Sequence, residues 1–141
     1  MATDIKQMME QYKLAWNSHD VNKIISFFTE DGIYEDVATG SVNHSKKEIS
    51  EYLNTFFADV PDFKIEIKTV FGSDDWAGSE VISSGTHVHS SLPGVPSTGR
   101  TFSLRAIGIF QLHKGKISHQ SEYYNLVTLL QQIGVMPGQP K

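Results

Sequence analysis

Three side chains of this sequence are well suited to acid/base chemistry on a small molecule: a histidine, an aspartate and an arginine. His87 can take up and release a proton near neutral pH. Asp36 lies close to aromatic residues, and burial beside them would raise the pKa of its carboxyl group. Arg105 lies in an apolar segment, where its cation could stabilise an enolate or bind a carboxylate. We therefore predict that these three residues are catalytic.

Each of these residues also has a purely structural interpretation. His87 could be a hydrogen-bonded histidine of the interior, and Asp36 could be a surface acid near a turn. Arg105 could form an ion pair with Glu80 or Glu122 on a neighbouring strand. The sequence alone leaves these alternatives open.

A second histidine follows the first at strand spacing. His89 lies two residues after His87, so the two would share one face of a regular strand. Such a pair can hold a metal, but no glutamate follows at the spacing that these sites use. We therefore predict neither a metal site nor a cofactor, and we assign His89 to ligand binding.

Length and composition limit the possible functions. The chain has 141 residues, which suits one domain with a single core, and its 12 Lys and Arg against 16 Asp and Glu give a formal charge of −4. This acidity argues against a nucleic-acid partner. The sequence has no cysteine, which excludes disulfides and thiolate nucleophiles. No apolar run reaches the roughly 20 residues of a membrane span, and no signal-peptide pattern is present, so we expect a cytoplasmic protein without membrane contact.

The hydrophobic pattern predicts helices that precede a mostly antiparallel sheet. Apolar residues at helical spacing predict a first helix over residues 4–17. A second helix is expected to begin at Asp20, which can cap it, and to end at Asp31-Gly32. A capping box over Ser45–Glu48 predicts the start of a third helix. Strands are expected near residues 33–38, from residue 63 onwards, near 77–90, over 100–113 and over 116–124. A short helix is expected over residues 126–133. This order indicates an α+β fold with one domain over 1–141.

We expect the sheet to curve over the first helices and to leave a cone-shaped cavity. Gly78, Gly85 and Gly108 lie inside strand patterns, where they indicate bends or bulges. A cavity of this shape is a natural ligand site. The pattern therefore favours a small hydrophobic molecule as the partner.

Four stretches of the chain resemble the SnoaL-like polyketide cyclase family, within the NTF2-like superfamily. They are AWNSHDVNKIISFFTEDGIYED, Gly85-Thr86-His87 with Gly94-Val95-Pro96-Ser97-Thr98-Gly99-Arg100, Gly115-Lys116-Ile117, and Tyr123-Tyr124-Asn125 followed by LLQQIG. The resemblance covers nearly the whole chain and implies a cone-shaped α+β barrel. It also implies a homodimer formed through the outer face of the sheet, where Val70 and Ile109 would supply apolar contacts.

The resemblance further implies a reaction that needs no cofactor. A base removes a proton from an activated carbon, and donors hold the resulting enolate in a dry pocket. In the family the acid/base is an Asp four residues before a Leu-Leu pair, and that position is Asn125 here. An amide has no useful basicity, so Asn125 is expected to cap the last helix or to orient a substrate carbonyl. Tyr34, Trp16 and Tyr123 complete the expected ligand contacts.

Two functions of different classes remain. One is a cofactor-free cyclase or isomerase acting on a small hydrophobic carbonyl compound, with His87 or Asp36 in place of the missing base. The other is a non-catalytic protein that binds a small apolar ligand, which Asn125 at the family's acid/base position favours. Hydrolysis of an epoxide has less support, because no second strand acid accompanies Asp36 and Arg105.

Overall fold

The computed structural model describes residues 4–136, and in this part of the chain four helices and six strands form. The helices are α1 (Ile5–Ser18), α2 (Val21–Ile25), α3 (Ser45–Asp59) and α4 (Leu126–Gln132). The strands are β1 (Phe28–Asp36), β2 (Ser41–His44), β3 (Lys64–Ser73), β4 (Trp76–Thr86), β5 (Thr101–His113) and β6 (Lys116–Tyr124). Residues 1–3 and 137–141 of the expected domain lie outside the described residues. None of the four helices is both long and apolar enough to cross a membrane.

The six strands form one curved sheet in the order β2-β1-β6-β5-β4-β3. Neighbouring strands are antiparallel except for β1 and β6, which run parallel. Helix α1 packs against β3, and α3 packs against β1, so both helices cover the concave face. The predicted α+β class, with helices on a mostly antiparallel sheet, is confirmed.

The first two helices begin at aspartates, and the sequence predicts this cap for the second of them. Asp4 and Asp20 each accept a hydrogen bond from the backbone N–H three residues further on, at 3.0 and 3.2 Å. These bonds satisfy N–H groups that have no partner within the helix. The buried side of α1 then carries Met9, Tyr12 and Trp16 towards the sheet.

The boundary between the second helix and the first strand differs from the prediction. Helix α2 ends at Ile25, and Phe28 already belongs to β1, where it pairs with Ile117 of β6. Phe28 is fully buried in this strand. The short strand β2 was not predicted, since its sequence Ser-Val-Asn-His has no apolar alternation.

The third helix begins one residue earlier than its predicted capping box. Ser45 has a φ of 76°, and His44 is the N-cap residue. The Glu48 carboxylate accepts from the N–H of His44 at 2.7 Å, while the Glu48 N–H donates to the Ser45 hydroxyl at 3.5 Å. The two reciprocal bonds of a capping box are therefore present, but one of them reaches His44 instead of Ser45.

A bulge changes which residues of β3 face the core. Ile65 and Ile67 point towards the helices, and the register shifts between Ile67 and Thr69. Val70 therefore also packs against the core. The expectation that Val70 lies on the outer face was wrong, because strict alternation holds only in an unbulged strand.

Candidate functional site

A cavity lies between the concave face of the sheet and the helices α1 and α3. Its inner compartment has a volume of about 130 Å³ and is lined mainly by apolar and aromatic side chains, among them Trp16, Phe56, Phe63, Leu104 and Phe110. An outer compartment of about 600 Å³ adjoins it, with a more polar lining. Asp36, Tyr52 and Tyr124 line both compartments, so they mark the passage between the two.

Asp36 is a buried acid at this passage. It ends β1 and is 7% exposed. Its carboxylate accepts hydrogen bonds from the Tyr124 hydroxyl at 2.8 Å, the Tyr52 hydroxyl at 3.4 Å and the Thr39 N–H at 3.1 Å. These donors hold the carboxylate in place between the sheet and α3, as a buried charge requires.

Glu122 is a second acid beside the first. It lies on β6, directly opposite Asp36 in the parallel register, and its side chain lines the inner compartment. Burial raises the pKa of Glu122 to about 7; a hydrogen bond from Gln120 opposes this shift, and the charge of Asp36 adds to it. Near neutral pH, Glu122 therefore exists in both protonated and ionised forms.

Two buried polar residues orient the Glu122 carboxyl group. The Tyr12 hydroxyl donates to Gln120 Oε1 at 2.6 Å, and the Gln120 amide donates to Glu122 Oε1 at 2.7 Å. Tyr12 and Gln120 are 4% and 3% exposed, so solvent does not compete for these bonds. The bond chain fixes one oxygen of Glu122, and the other oxygen, Oε2, takes no part in it.

The tyrosine hydroxyls around the two acids keep their protons. Burial is the main cause that raises the pKa of Tyr12, Tyr52 and Tyr124 well above the usual tyrosine range, and the same holds for Tyr34. Each hydroxyl is therefore a hydrogen-bond donor at any physiological pH. The inner compartment thus combines two carboxyl groups with several fixed donors.

A glycine makes room for the Glu122 carboxyl group. Gly108 of β5 lies opposite Glu122 in the antiparallel register, and a Cβ atom at Gly108 would collide with Glu122 Oε1. The strand pattern around this glycine predicts a bend. Its position shows a close approach between a backbone and a side chain, which only a residue without Cβ permits.

Several of the predicted site residues do reach the cavity. Asp36, Tyr34 and Trp16 line the inner compartment, and His87 lines the outer one. His87 is 6% exposed, and its Nδ1 has no hydrogen-bond partner among residues 4–136. His87 and Asp36 thus contribute to the same outer compartment, while His87 does not line the inner one.

Two predicted residues lie on the opposite side of the sheet. Arg105 has a side chain that is 74% exposed, and its Nε lies 3.6 Å from a Glu80 carboxylate oxygen. Its neighbours Leu104 and Ala106 are buried, so the alternation of β5 turns Arg105 outwards. Tyr123 follows the same rule on β6 and is 47% exposed. Neither residue belongs to the cavity, and for Arg105 the structural interpretation, a pair with Glu80, is the one observed.

Two further predicted contacts lie outside both compartments. Asn125 is exposed and caps α4, since its Oδ1 accepts from the Thr128 N–H at 3.0 Å. His89 is exposed in a loop, because β4 ends at Thr86 and not near residue 90. The His89 N–H donates to the Asp59 carbonyl at 3.1 Å, which turns the chain away from the sheet. His87 and His89 consequently share no strand face.

Glu122 was missed as a site residue. The sequence suggests it only as a partner for Arg105, because β6 carries polar residues on both faces and shows no apolar period. The usable signal was the alternation of Gln120, Glu122 and Tyr124, which places an amide, an acid and a phenol on one strand face.

The chain matches one protein family over most of its length. The model of the SnoaL-like polyketide cyclase family matches residues 6–133. The chain belongs to the SnoaL-like polyketide cyclase family. In this SnoaL-like chain the amide at Asn125 is a helix cap, and the carboxyl groups that line the inner compartment, among the described residues, are those of Asp36 and Glu122.

Solved structures share the fold of this SnoaL-like protein at low identity. A candidate hydroxylase from Streptomyces galilaeus has a TM-score of 0.81 and 22% identity, over 98% of this chain and 85% of that one. A protein with a ketosteroid isomerase-like fold from Catenulispora acidiphila has a TM-score of 0.78 and 21% identity, over 98% and 99% of the two chains. A candidate polyketide cyclase from Xanthomonas campestris pv. campestris has a TM-score of 0.78 and 20% identity, over 92% and 96%. These likenesses confirm the NTF2-like fold, whereas the reaction must be argued from the site.

Proposed function

We propose that this protein is a cofactor-free cyclase or isomerase that moves a proton on a small hydrophobic carbonyl compound. The observation that carries the proposal is the pair of adjacent carboxyl groups, Asp36 and Glu122, in the wall of an apolar cavity. Two carboxyl groups in different surroundings can divide the roles of charge holder and proton carrier. Here Asp36 has three donors, while Glu122 titrates near neutral pH.

Glu122 is the proposed proton carrier. A carboxyl group with a pKa of about 7 is partly ionised at neutral pH, which is the best condition for both taking and returning a proton. Ionised Glu122 takes a proton from the carbon next to the substrate carbonyl, and the electrons of that C–H bond form an enolate. Its Oε2 is suited to this step, because Gln120 already occupies Oε1.

Tyrosine hydroxyls are the proposed donors for the enolate oxygen. Tyr52 is the first choice, because its 3.4 Å bond to Asp36 is long and can be exchanged for a bond to the substrate. In a cyclisation the enolate carbon then attacks a second carbonyl carbon of the same molecule, and the resulting alkoxide receives the proton from Glu122. In an isomerisation the proton returns to a different carbon, so atoms and charges balance in both cases.

The apolar walls support this chemistry by excluding water. Aromatic rings of Trp16, Phe56, Phe63 and Phe110 surround the inner compartment. They hold a hydrophobic substrate in a folded arrangement and strengthen the electrostatic effect of the acids. We include His87 as a residue that contacts the substrate in the outer compartment, where its ring lies.

The proposal can be tested without knowledge of the natural substrate. A hydrophobic ketone, 2-tetralone deuterated beside its carbonyl group, loses deuterium to water when a base removes it, and mass spectrometry measures the rate. The wild-type protein should accelerate this loss above buffer alone. Glu122→Gln should lower the protein-dependent rate by about 10²- to 10⁴-fold, the usual contribution of a general base.

The matched control for this experiment is another strand acid. Glu80→Gln removes a carboxylate from the outer face of the sheet and should leave the rate unchanged. A Glu122→Gln protein that folds normally and exchanges deuterium at the wild-type rate would refute the proposed proton transfer.

A second function is supported by one observation. Asn125, at the family's acid/base position, is an exposed helix cap and offers no base. A protein that binds a small apolar ligand without converting it would fit this feature. Binding of 2-tetralone without any acceleration of deuterium loss would favour this second function.

A further inference from the structure

The outer compartment is lined by carboxylates and by no Lys or Arg among the described residues, and this charge favours one chemical class of substrate. We propose that the substrate carries a cationic amine at the end that occupies this compartment, while its carbonyl lies at the passage beside Asp36 and Glu122. This inference rests on the proposed function, because it concerns the substrate of the same cavity. It adds to the proposed function the chemical class of the substrate end that lies away from the reacting carbon.

Four carboxylates and no Lys or Arg line the outer compartment among residues 4–136. The carboxylates belong to Asp36, Glu48, Glu51 and Asp59. In the inner compartment the cationic side chain is Lys13, which is already paired with Glu10 at 2.6 Å. A cleft lined by one sign of charge attracts the opposite charge and repels its own. A carboxylate or phosphate on the substrate would therefore be disfavoured, and a cation would be favoured.

The negative charge of this compartment is not cancelled by ion pairs within the described residues. Glu48 accepts from the backbone N–H of His44 at 2.7 Å. Asp59 accepts from the N–H and the hydroxyl of Ser91, and Asp36 accepts from two tyrosines and a backbone N–H. Neutral donors orient these groups but leave their net charge in place.

Aromatic rings give the compartment a second feature that suits a cation. Tyr52, Phe56, Phe102 and Tyr124 line both compartments. The face of an aromatic ring attracts a cation within about 6 Å of the ring centre. An alkylammonium group near the passage would thus meet ring faces as well as carboxylates.

His87 supplies an independent sign that this compartment receives a ligand. His87 lines the compartment and is only 6% exposed, yet its Nδ1 has no hydrogen-bond partner among residues 4–136. Buried polar groups of proteins are nearly always paired, so an unpaired one in a cavity wall indicates a partner that a ligand or a bound water provides. A ligand end that carries an N–H or O–H donor can pair with this nitrogen, whereas a purely apolar substrate cannot.

A set of three probes tests the inference by binding alone. Each is acetophenone with a propyl chain in the para position, and the chain ends in a primary ammonium, hydroxyl or carboxylate group. Isothermal titration calorimetry should give a dissociation constant about tenfold lower for the ammonium probe than for the carboxylate probe, with the hydroxyl probe between them. The difference should shrink when the salt concentration is raised.

Paired variants connect the preference to the outer compartment. Glu48→Gln combined with Glu51→Gln removes two of its charges, while the amide introduced at position 48 can still accept from the His44 N–H. This double variant should reduce the preference to about threefold or less. The control, Glu30→Gln combined with Glu66→Gln, removes two charges from residues outside both compartments and should keep the full preference.

The outcomes separate this inference from the proposed function. Equal binding of the three probes, or tightest binding of the carboxylate probe, would overturn the cationic substrate and leave the proton transfer untouched, provided that 2-tetralone still loses deuterium. A preference that both double variants retain would also overturn it. If no probe binds and no deuterium is lost, the cavity itself is not a substrate site and both proposals fail.

Discussion

At the scale of single residues, the site depends on two adjacent acids in unlike surroundings. Asp36 receives three hydrogen bonds, whereas Glu122 receives one and is surrounded by apolar walls. The same pairing of residue types on two strands with solvent around them would give two ordinary surface acids. It is the burial of Glu122, together with the charge of Asp36, that brings the pKa of Glu122 to about 7.

Gly108→Ala tests the space that Glu122 requires. The new methyl group would collide with Glu122 Oε1, so the carboxyl group must turn away from its bond with Gln120. We expect the protein-dependent deuterium loss from 2-tetralone to fall about tenfold or more, with a stability cost of about 1–3 kcal/mol. The rate assay and urea unfolding measure the two effects.

A second strand glycine provides the control for this variant. A Cβ atom at Gly78 would meet the ring of Phe71, which is 55% exposed and can move aside. Gly78→Ala should therefore keep the wild-type rate. Equal rates in the Gly108→Ala and wild-type proteins would show that the position of Glu122 is unimportant.

At the scale of helices and strands, the sequence predicted elements better than it predicted strand faces. The period of α1 and the hairpin of β5 and β6 were predicted because each has a clear periodicity or turn signal. Arg105 was predicted to face the cavity, but it lies on the outer face of the sheet. The alternation of β5 is hard to recognise in the sequence, because the apolar residue Ile107 also lies on the outer face. Glu122 was missed because its strand is polar on both sides.

Helix α4 offers a test of what Asn125 does. Its side chain caps the helix through the Thr128 N–H, and its position is exposed. Asn125→Ala should lower the free energy of unfolding by about 1 kcal/mol through loss of the cap. The rate of deuterium loss should stay near that of the wild type, since Asn125 does not line either compartment. Asn125→Asp, which preserves the cap, should keep the wild-type free energy of unfolding. If Asn125→Ala instead abolished the deuterium loss from 2-tetralone, Asn125 would have a direct role in the reaction.

At the scale of the whole molecule, the outer face of the sheet remains available for association. Large apolar side chains are exposed on this face, namely Phe71, Trp76, Ile107 and Tyr123, with exposed fractions from 41% to 55%. Ile107 and Tyr123 lie directly opposite each other on β5 and β6, so they form a continuous apolar surface. A homodimer through this face, as the sequence analysis expected, would cover them.

The dimer is tested by a charge at the centre of this surface. Ile107→Lys should shift the protein from dimer to monomer in equilibrium sedimentation at micromolar concentration, because a buried unpaired charge opposes association. Lys68→Ala, which alters an exposed residue of β3, should leave the sedimentation unchanged. A wild-type protein that sediments as a monomer would contradict the dimer.

The role of Glu122 as the proton carrier can be tested by the pH dependence of deuterium loss. Because the ionised carboxylate is the base, the protein-dependent rate with 2-tetralone should rise with pH and level off above an inflection near pH 7. In Glu122→Gln this inflection should disappear together with most of the rate. A Glu122→Gln protein that keeps the same rate and the same inflection would contradict the account.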